Sequence, residues 1–215
     1  MRKIEYLANP DIQFFDLKWL RLYYILFYIV LYLIKMNICV FCSSSNNVAA
    51  EYKEMAKAFG RQIAESGHVL VYGGATGGLM DAVAEGAAEK NGETIGIIPE
   101  TIIRSNRLSK LPTQQIITSD MNERKKEMKK IADLFVVLPG GFGTLDEMFD
   151  VVAAGTVGEH KKPLICLNYK GFYNSLIELI DEMRAGFFIP KDEIYKPIFV
   201  NSPEECLARI KESHV

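Results

Sequence analysis

An excess of charge of either sign is nearly absent from this sequence. Twenty-five Lys and Arg stand against 27 Asp and Glu, a formal charge of −2, with a pI near 6.0. A general nucleic-acid binder carries a basic surface, so no nucleic-acid partner is expected. Cysteine is scarce as well. The four present, Cys39, Cys42, Cys166 and Cys206, suit a reduced, cytoplasmic protein better than a disulfide scaffold. Cys39 and Cys42 form a C-x-x-C, but most of it lies on a predicted strand, where positions three apart face opposite sides. Metal or redox use needs convergent sulfurs, so no metal ligand set and no cofactor is assigned.

Long apolar runs are also missing. Leu22–Ile34 (LYYILFYIVLYLI) holds 13 uninterrupted apolar residues, short of the roughly 18 or more of a spanning helix. Lys18, Arg21 and Lys35 flank both ends, so charge asymmetry sets no orientation. No small-residue cleavage site follows, which argues against a signal peptide. Residues 1–35 read as a dispensable extension or an upstream mis-start, with contact of residues 19–34 with a membrane as the less favoured alternative. NICVFC after Met36 is a good first strand for a free-standing domain over 36–215. No internal repeat or low-complexity linker interrupts it.

From Met36 onward strand and helix patterns alternate with short connections. Strands are predicted at Asn37–Cys42, His68–Tyr72, Thr94–Ile98, Gln115–Thr118, Asp133–Leu138, Pro163–Asn168 and Ile198–Val200. Helices are predicted at Val48–Ser66, Gly78–Lys90, Asp120–Ala132, Thr144–Thr156, Gly171–Arg184 and Pro203–Glu212. Apolar strands alternating with helices mean an α/β fold: a Rossmann-like, doubly wound, mostly parallel sheet with helices on both faces. Ligands of such sheets sit beyond the carboxyl ends of the strands, beside a topological switch point. Residues 99–114 read as an irregular stretch, carrying Arg104, Arg107 and Lys110, that can fold over that edge.

The most informative stretch is PGGFGTLDE, 139–147. It follows a strand and opens a helix. Gly140, Gly141 and Gly143 let backbone N–H groups turn toward one point without Cβ interference. A helix start near Thr144 adds unpaired N–H groups and the positive dipole end. Together these read as a phosphate cradle. Glu147, one turn on, either complements the dipole or does chemistry beside the phosphate. Two other loops leave strand ends. CSSSNN (42–47), with Ser44, suits ribose or phosphate, although turn and capping residues look alike. YGGATGGLMD (72–81), with Gly73 and Gly74, is a second glycine turn whose spacing departs from the dinucleotide fingerprint.

MNERKKEM, 121–128, opens the helix after the fourth strand. Lys126, Lys129 and Lys130 suit a solvated basic face. Arg124 differs: Met121 and Met128 sit at offsets −3 and +4, on the same stripe. An arginine on such a stripe is expected to be partly buried and paired, with Glu147 or a ligand phosphate as partner.

MNERKKEM and PGGFGTLDE together resemble the paired signature of the Lonely Guy (LOG) family, M-x-x-R-K-x-x-M and P-G-G-x-G-T-x-x-E, matching at every fixed position. C-x-S-S after the first strand, YGG-x-x-GGLM, GIIP and G-x-H-x-K-P at Gly158–Pro163 extend the likeness from Met36 to about Pro190. The resemblance implies a cytokinin riboside 5′-monophosphate phosphoribohydrolase, which releases free base and ribose 5-phosphate. Many bacterial members also act on AMP, and members of this length are dimers. It implies Arg124 and Glu147 as catalytic residues. Ser44, Gly73, Gly74, Lys125, Gly140, Gly141, Gly143 and Thr144 are the expected substrate-binding set. The family's older lysine-decarboxylase label fits poorly, since nothing marks a lysine seated for a pyridoxal Schiff base.

That activity suits the residues. N-glycosidic cleavage passes through an oxocarbenium-like centre, which calls for a carboxylate at the anomeric carbon. Arg124 can orient Glu147 or bind substrate, and the residues leave both open. A non-catalytic nucleotide or molybdenum-cofactor carrier of the same fold is the alternative reading. Departures from the family pattern fall at Ala153 and Ala154, where a Thr-Trp or similar pair is usual, and at Asp81 and Ser43, where glycine is common. The usual P-R-E around Ser105–Arg107 is also absent. These bear on pocket shape and base selectivity, not on the chemistry.

Overall fold

The computed structural model describes Lys35–Ser213. The N-terminal extension, with its alternative membrane reading, lies outside the described residues.

The strand–helix alternation is realised as seven strands: β1 (Asn37–Phe41), β2 (Val69–Tyr72), β3 (Thr94–Pro99), β4 (Gln114–Thr118), β5 (Leu134–Val137), β6 (Leu164–Leu167) and β7 (Ile198–Val200). They form one sheet in the order β4-β3-β2-β1-β5-β6-β7, and every pairing is parallel. The helices are α1 (Ala50–Glu65), α2 (Gly78–Glu89), α3 (Glu100–Arg104), α4 (Met121–Ile131), α5 (Phe142–Thr156), α6 (Asn174–Ala185) and α7 (Pro203–Glu212). Among the described residues no helix is long and apolar enough to cross a membrane.

The central strands alternate between two cores, as a sheet covered on both faces requires. Ile38, Val40 and Cys42 of β1 and its exit face α1, α2 and α7, packing among Phe59, Leu79 and Ile210. Cys39 and Phe41 face α4 and α5, packing among Met128 and Met148. The two sulfurs of the C-x-x-C therefore lie in opposite layers. Backbones of α1 and α2 meet directly: a Cβ on Gly60 would collide with the Val83 carbonyl, and one on Gly86 with the Lys57 carbonyl.

Strand order reverses between β1 and β5. The loops leaving these two strands part there, opening a crevice at their carboxyl ends. One hydrogen bond, Ser43 N–H to the Pro139 carbonyl at 3.2 Å, joins the two loops at its floor.

Two differences from the sequence reading bear on the site. Residues 99–114 are not wholly irregular, since α3 occupies Glu100–Arg104. Helix α5 begins at Phe142 rather than Thr144. None of Gly140, Gly141 and Gly143 takes a positive φ, so Gly143 is helical and these glycines matter for clearance rather than for turning the chain.

Candidate active site

Helix α4 brings the first charge to the crevice. Its start is firmly set: the Asp120 carboxylate accepts from Asn122 N–H at 2.8 Å and Glu123 N–H at 2.9 Å, while Glu123 reaches back to Ser119 N–H at 2.7 Å. This is reciprocal capping, worth about 1 kcal/mol or more. One turn on, Arg124 points inward and only 5% of it is exposed. Its Nε donates to the Ile97 carbonyl at 3.1 Å, and Nη1 lies 3.6 Å from the Met121 sulfur. Nη2 meets Glu147 Oε1 of α5 at 2.7 Å. The methionine stripe thus carries a buried, paired arginine.

Glu147 is 4% exposed. Burial pushes its carboxyl above the ordinary range, and the Arg124 guanidinium pulls the other way. Such a balance suits a carboxylate that must take up a proton during turnover. Gly73 makes room for the pair, because a Cβ there would strike Arg124 Nη2.

Around Glu147 lies a cavity of about 630 Å³, within the usual range for small-molecule sites. It gathers seven of the expected residues: Ser44, Gly73, Arg124, Gly141, Gly143, Thr144 and Glu147. At one end is the start of α5. Gly141 is its N-cap, no side chain caps it, and Gly141, Gly143 and Thr144 line the cavity, so the positive end of the helix lies at its wall. A Cβ on Gly141 or Gly143 would meet nothing within 4 Å; these positions border open space that a ligand can occupy.

Three expected residues stand elsewhere. Lys125 points away from the cavity, its Nζ 3.0 Å from both carboxylate oxygens of Asp146. Gly140 does not line the cavity, and a Cβ on it would collide with Thr144 Oγ1. Gly74 takes φ +62 and abuts Gly96. The second glycine turn is not a second open cradle. Asp81 accepts from Gly77 N–H at 2.6 Å and Asn46 from Gly78 N–H at 3.0 Å, while the Ser43 carbonyl takes Leu79 N–H at 2.8 Å. Protein groups already hold the N–H groups that a phosphate would need.

Arg107 was not singled out for the site, yet it lines the cavity and donates from Nη2 to the Thr76 carbonyl at 3.0 Å. Its segment is pinned over the edge by Ser109 N–H to the Gly74 carbonyl at 2.9 Å. A cation in the stretch after β3 was the available signal. Arg104, by contrast, pairs with Glu100 on the surface. Met80, Pro99, Ile102 and Met121 supply apolar wall, which sequence periodicity does not distinguish from core.

Comparison with known proteins bears on this geometry. Residues 80–210 match the family model described as "Possible lysine decarboxylase". The chain is 36% identical over 179 residues to a cytokinin riboside 5′-monophosphate phosphoribohydrolase of Arabidopsis thaliana, covering 82% of each chain. It is 35% identical over 178 residues to one of Oryza sativa subsp. japonica, covering 82% of this chain and 73% of that one. Among solved structures, the molybdenum cofactor binding protein from the phototrophic bacterium Rippkaea orientalis superposes with a TM-score of 0.63 at 25% identity, covering 84% of this chain and 98% of that one.

Proposed function

Because the chain belongs to the Lonely Guy (LOG) family, whose relatives above are phosphoribohydrolases by name and whose model is described as a possible lysine decarboxylase, we propose that it hydrolyses the N-glycosidic bond of a purine nucleoside 5′-monophosphate. The products are free base and ribose 5-phosphate. The observation that carries this reading is the buried Arg124–Glu147 pair, at 2.7 Å, on the wall of the same cavity as the uncapped start of α5.

The 5′-phosphate sits on the N–H groups of Gly141, Gly143 and Thr144, with the Ser44 hydroxyl nearby, where the dipole end favours an anion. The ribose then lies against Glu147. As the C1′–N9 bond breaks, its electron pair leaves with the base and positive charge grows on the ribosyl ring. The Glu147 carboxylate stabilises that charge and takes a proton from the water whose oxygen bonds to C1′; that proton passes on to the departing base, which leaves neutral and restores the carboxylate. Arg124 fixes the carboxylate's orientation and favours its ionised form against the cost of burial. The base occupies the part of the cavity walled by Met80, Pro99, Ile102 and Met121, a surface compatible with adenine or an N6-prenylated adenine.

A carrier of the same fold has no use for an acid held against a guanidinium at this position. Incubation of the full chain with AMP and with its N6-prenylated analogue, followed by chromatography for free base, tests the proposal. Free base and ribose 5-phosphate in equal amounts are expected. Nucleotide that binds and returns intact would identify a binding protein instead.

A further inference from the structure

Lys125 is the expected site residue that the structure turns away from the cavity, and its surroundings carry the inference. Arg124 and Lys125 are consecutive on α4, and Asp146 and Glu147 are consecutive on α5. The two helices are therefore joined by adjacent acid–base rungs. The inner rung, Arg124–Glu147, is buried, with side chains 6% and 4% exposed. In the outer rung the Lys125 side chain is 15% exposed, and its Nζ lies 3.0 Å from both Asp146 oxygens and 3.9 Å from Asp150. Lys129 continues the series to Asp150 at 2.7 Å. A largely covered ammonium that does not line the Glu147 cavity has its carboxylate partners to account for its burial.

Resting on the hydrolase reading above, we propose that Lys125 and Asp146 are positioning residues that tune Glu147 from outside the cavity, acting through the α4–α5 clamp rather than by touching substrate. The charged and titratable groups facing Glu147 are few. Arg124 and Lys125 reach it from α4, and Asp146 from its own helix. The Cys39 and Cys42 thiols of β1 and its exit lie beneath, held protonated by burial, and Arg107 shares the cavity. Burial raises the Glu147 carboxyl most, Arg124 lowers it, Asp146 raises it and Lys125 lowers it. The two members of the outer rung, an anion next to Glu147 in the chain and a cation next to Arg124, thus push Glu147 in opposite directions.

Opposed signs separate tuning from mere support. If Lys125 and Asp146 only braced the helices, losing either would loosen the inner rung and shift Glu147 the same way. If they tune it, Lys125→Met moves the acidic limb of the kcat profile to higher pH and Asp146→Asn moves it to lower pH. The double variant falls between the two single variants, and Lys125→Arg keeps the wild-type limb.

The test uses the full chain as wild type, K125M, D146N, the double variant and K125R. Two readouts are taken for each: kcat and KM for AMP against pH, and the Glu147 carboxyl titration by carbon NMR with labelled glutamate. At the acidic end, K125M should lose about threefold to tenfold in kcat with KM within about twofold. Shifts of the same sign in K125M and D146N, or no shift in either, overturn the proposal. So does a KM rise of about tenfold or more in K125M with kcat intact, which would make Lys125 a substrate contact. A wild-type chain that releases no base refutes the hydrolase reading alone, because the NMR titration still decides this one.

Discussion

Replacing Gly73 by alanine adds one methyl group, but it adds it inside the contact distance of Arg124 Nη2, 3.2 Å from Met80 Cε and 3.3 Å from Arg124 Cζ. Gly73 has no positive φ, so alanine suits the backbone and the effect is steric alone. The guanidinium cannot step aside freely, since Nε is bonded to the Ile97 carbonyl and Nη2 to Glu147. Moving it weakens a charge-assisted hydrogen bond worth about 1.5–3 kcal/mol. Overpacking adds about 1–3 kcal/mol, only partly additive. A destabilisation of about 2–4 kcal/mol is expected, which lowers Tm by roughly 4–16 °C at 2–4 °C per kcal/mol for a chain of this size. kcat should fall about tenfold to a hundredfold, because Glu147 loses its orienting partner. Thermal unfolding and base-release kinetics measure both. Gly141→Ala, whose Cβ would meet nothing within 4 Å, is the control and should melt within a few degrees of wild type. Wild-type kcat and Tm in the Gly73 variant would refute the packing of Arg124 described above.

Glu147→Gln should retain the fold but lose base release by about a hundredfold to a thousandfold, corresponding to roughly 3–4 kcal/mol of transition-state stabilisation; single-turnover assay with AMP measures it. Arg124→Ala leaves the buried Glu147 without its partner and should cost about 3–5 kcal/mol at neutral pH. Burial alone then raises the folded-state pKa above the unfolded value, so this penalty is absent below the unfolded pKa and grows as pH rises toward the folded one. Denaturation at acidic and neutral pH should therefore show the gap from wild type closing in acid. A two-fold dimer is expected from the exposed apolar face of α5, where Phe142 is 94%, Phe149 39% and Val157 74% exposed; a monomer by light scattering at micromolar concentration would count against it.

Much of this architecture was legible in the sequence because its causes are local. The inner strands β1, β2, β5 and β6 are short apolar runs, and a sheet buried on both faces demands no more than that. Arg124 was readable as buried and paired because Met121 and Met128 mark its stripe. What escaped depends on contacts between distant segments. Whether the N–H groups of Gly77 and Gly78 are free turns on Asp81 and on Asn46, which arrives from the β1 loop. Lys125 reads as part of a motif, but its direction follows from how α4 crosses α5. Helix α3 is five residues long, too short for any periodicity to show. Gly155 sits beside Ala153 and Ala154 near the end of α5, and nothing local says what these small residues pack against. A Cβ on Gly155 would strike the Tyr195 ring of the same chain.

The central claim is that the start of α5 holds a phosphate while Glu147 works on the sugar beside it. The ratio of kcat/KM for AMP to that for adenosine tests it most directly. Several charge-assisted hydrogen bonds of about 1.5–3 kcal/mol each, partly additive, predict a preference on the order of a thousandfold for the nucleotide. Part of it should lie in kcat, because binding energy at the phosphate positions C1′ against Glu147. Gly143→Val, which fills the open space at the cradle, should erase most of that ratio while leaving the fold intact. Comparable rates on adenosine and AMP would contradict the account.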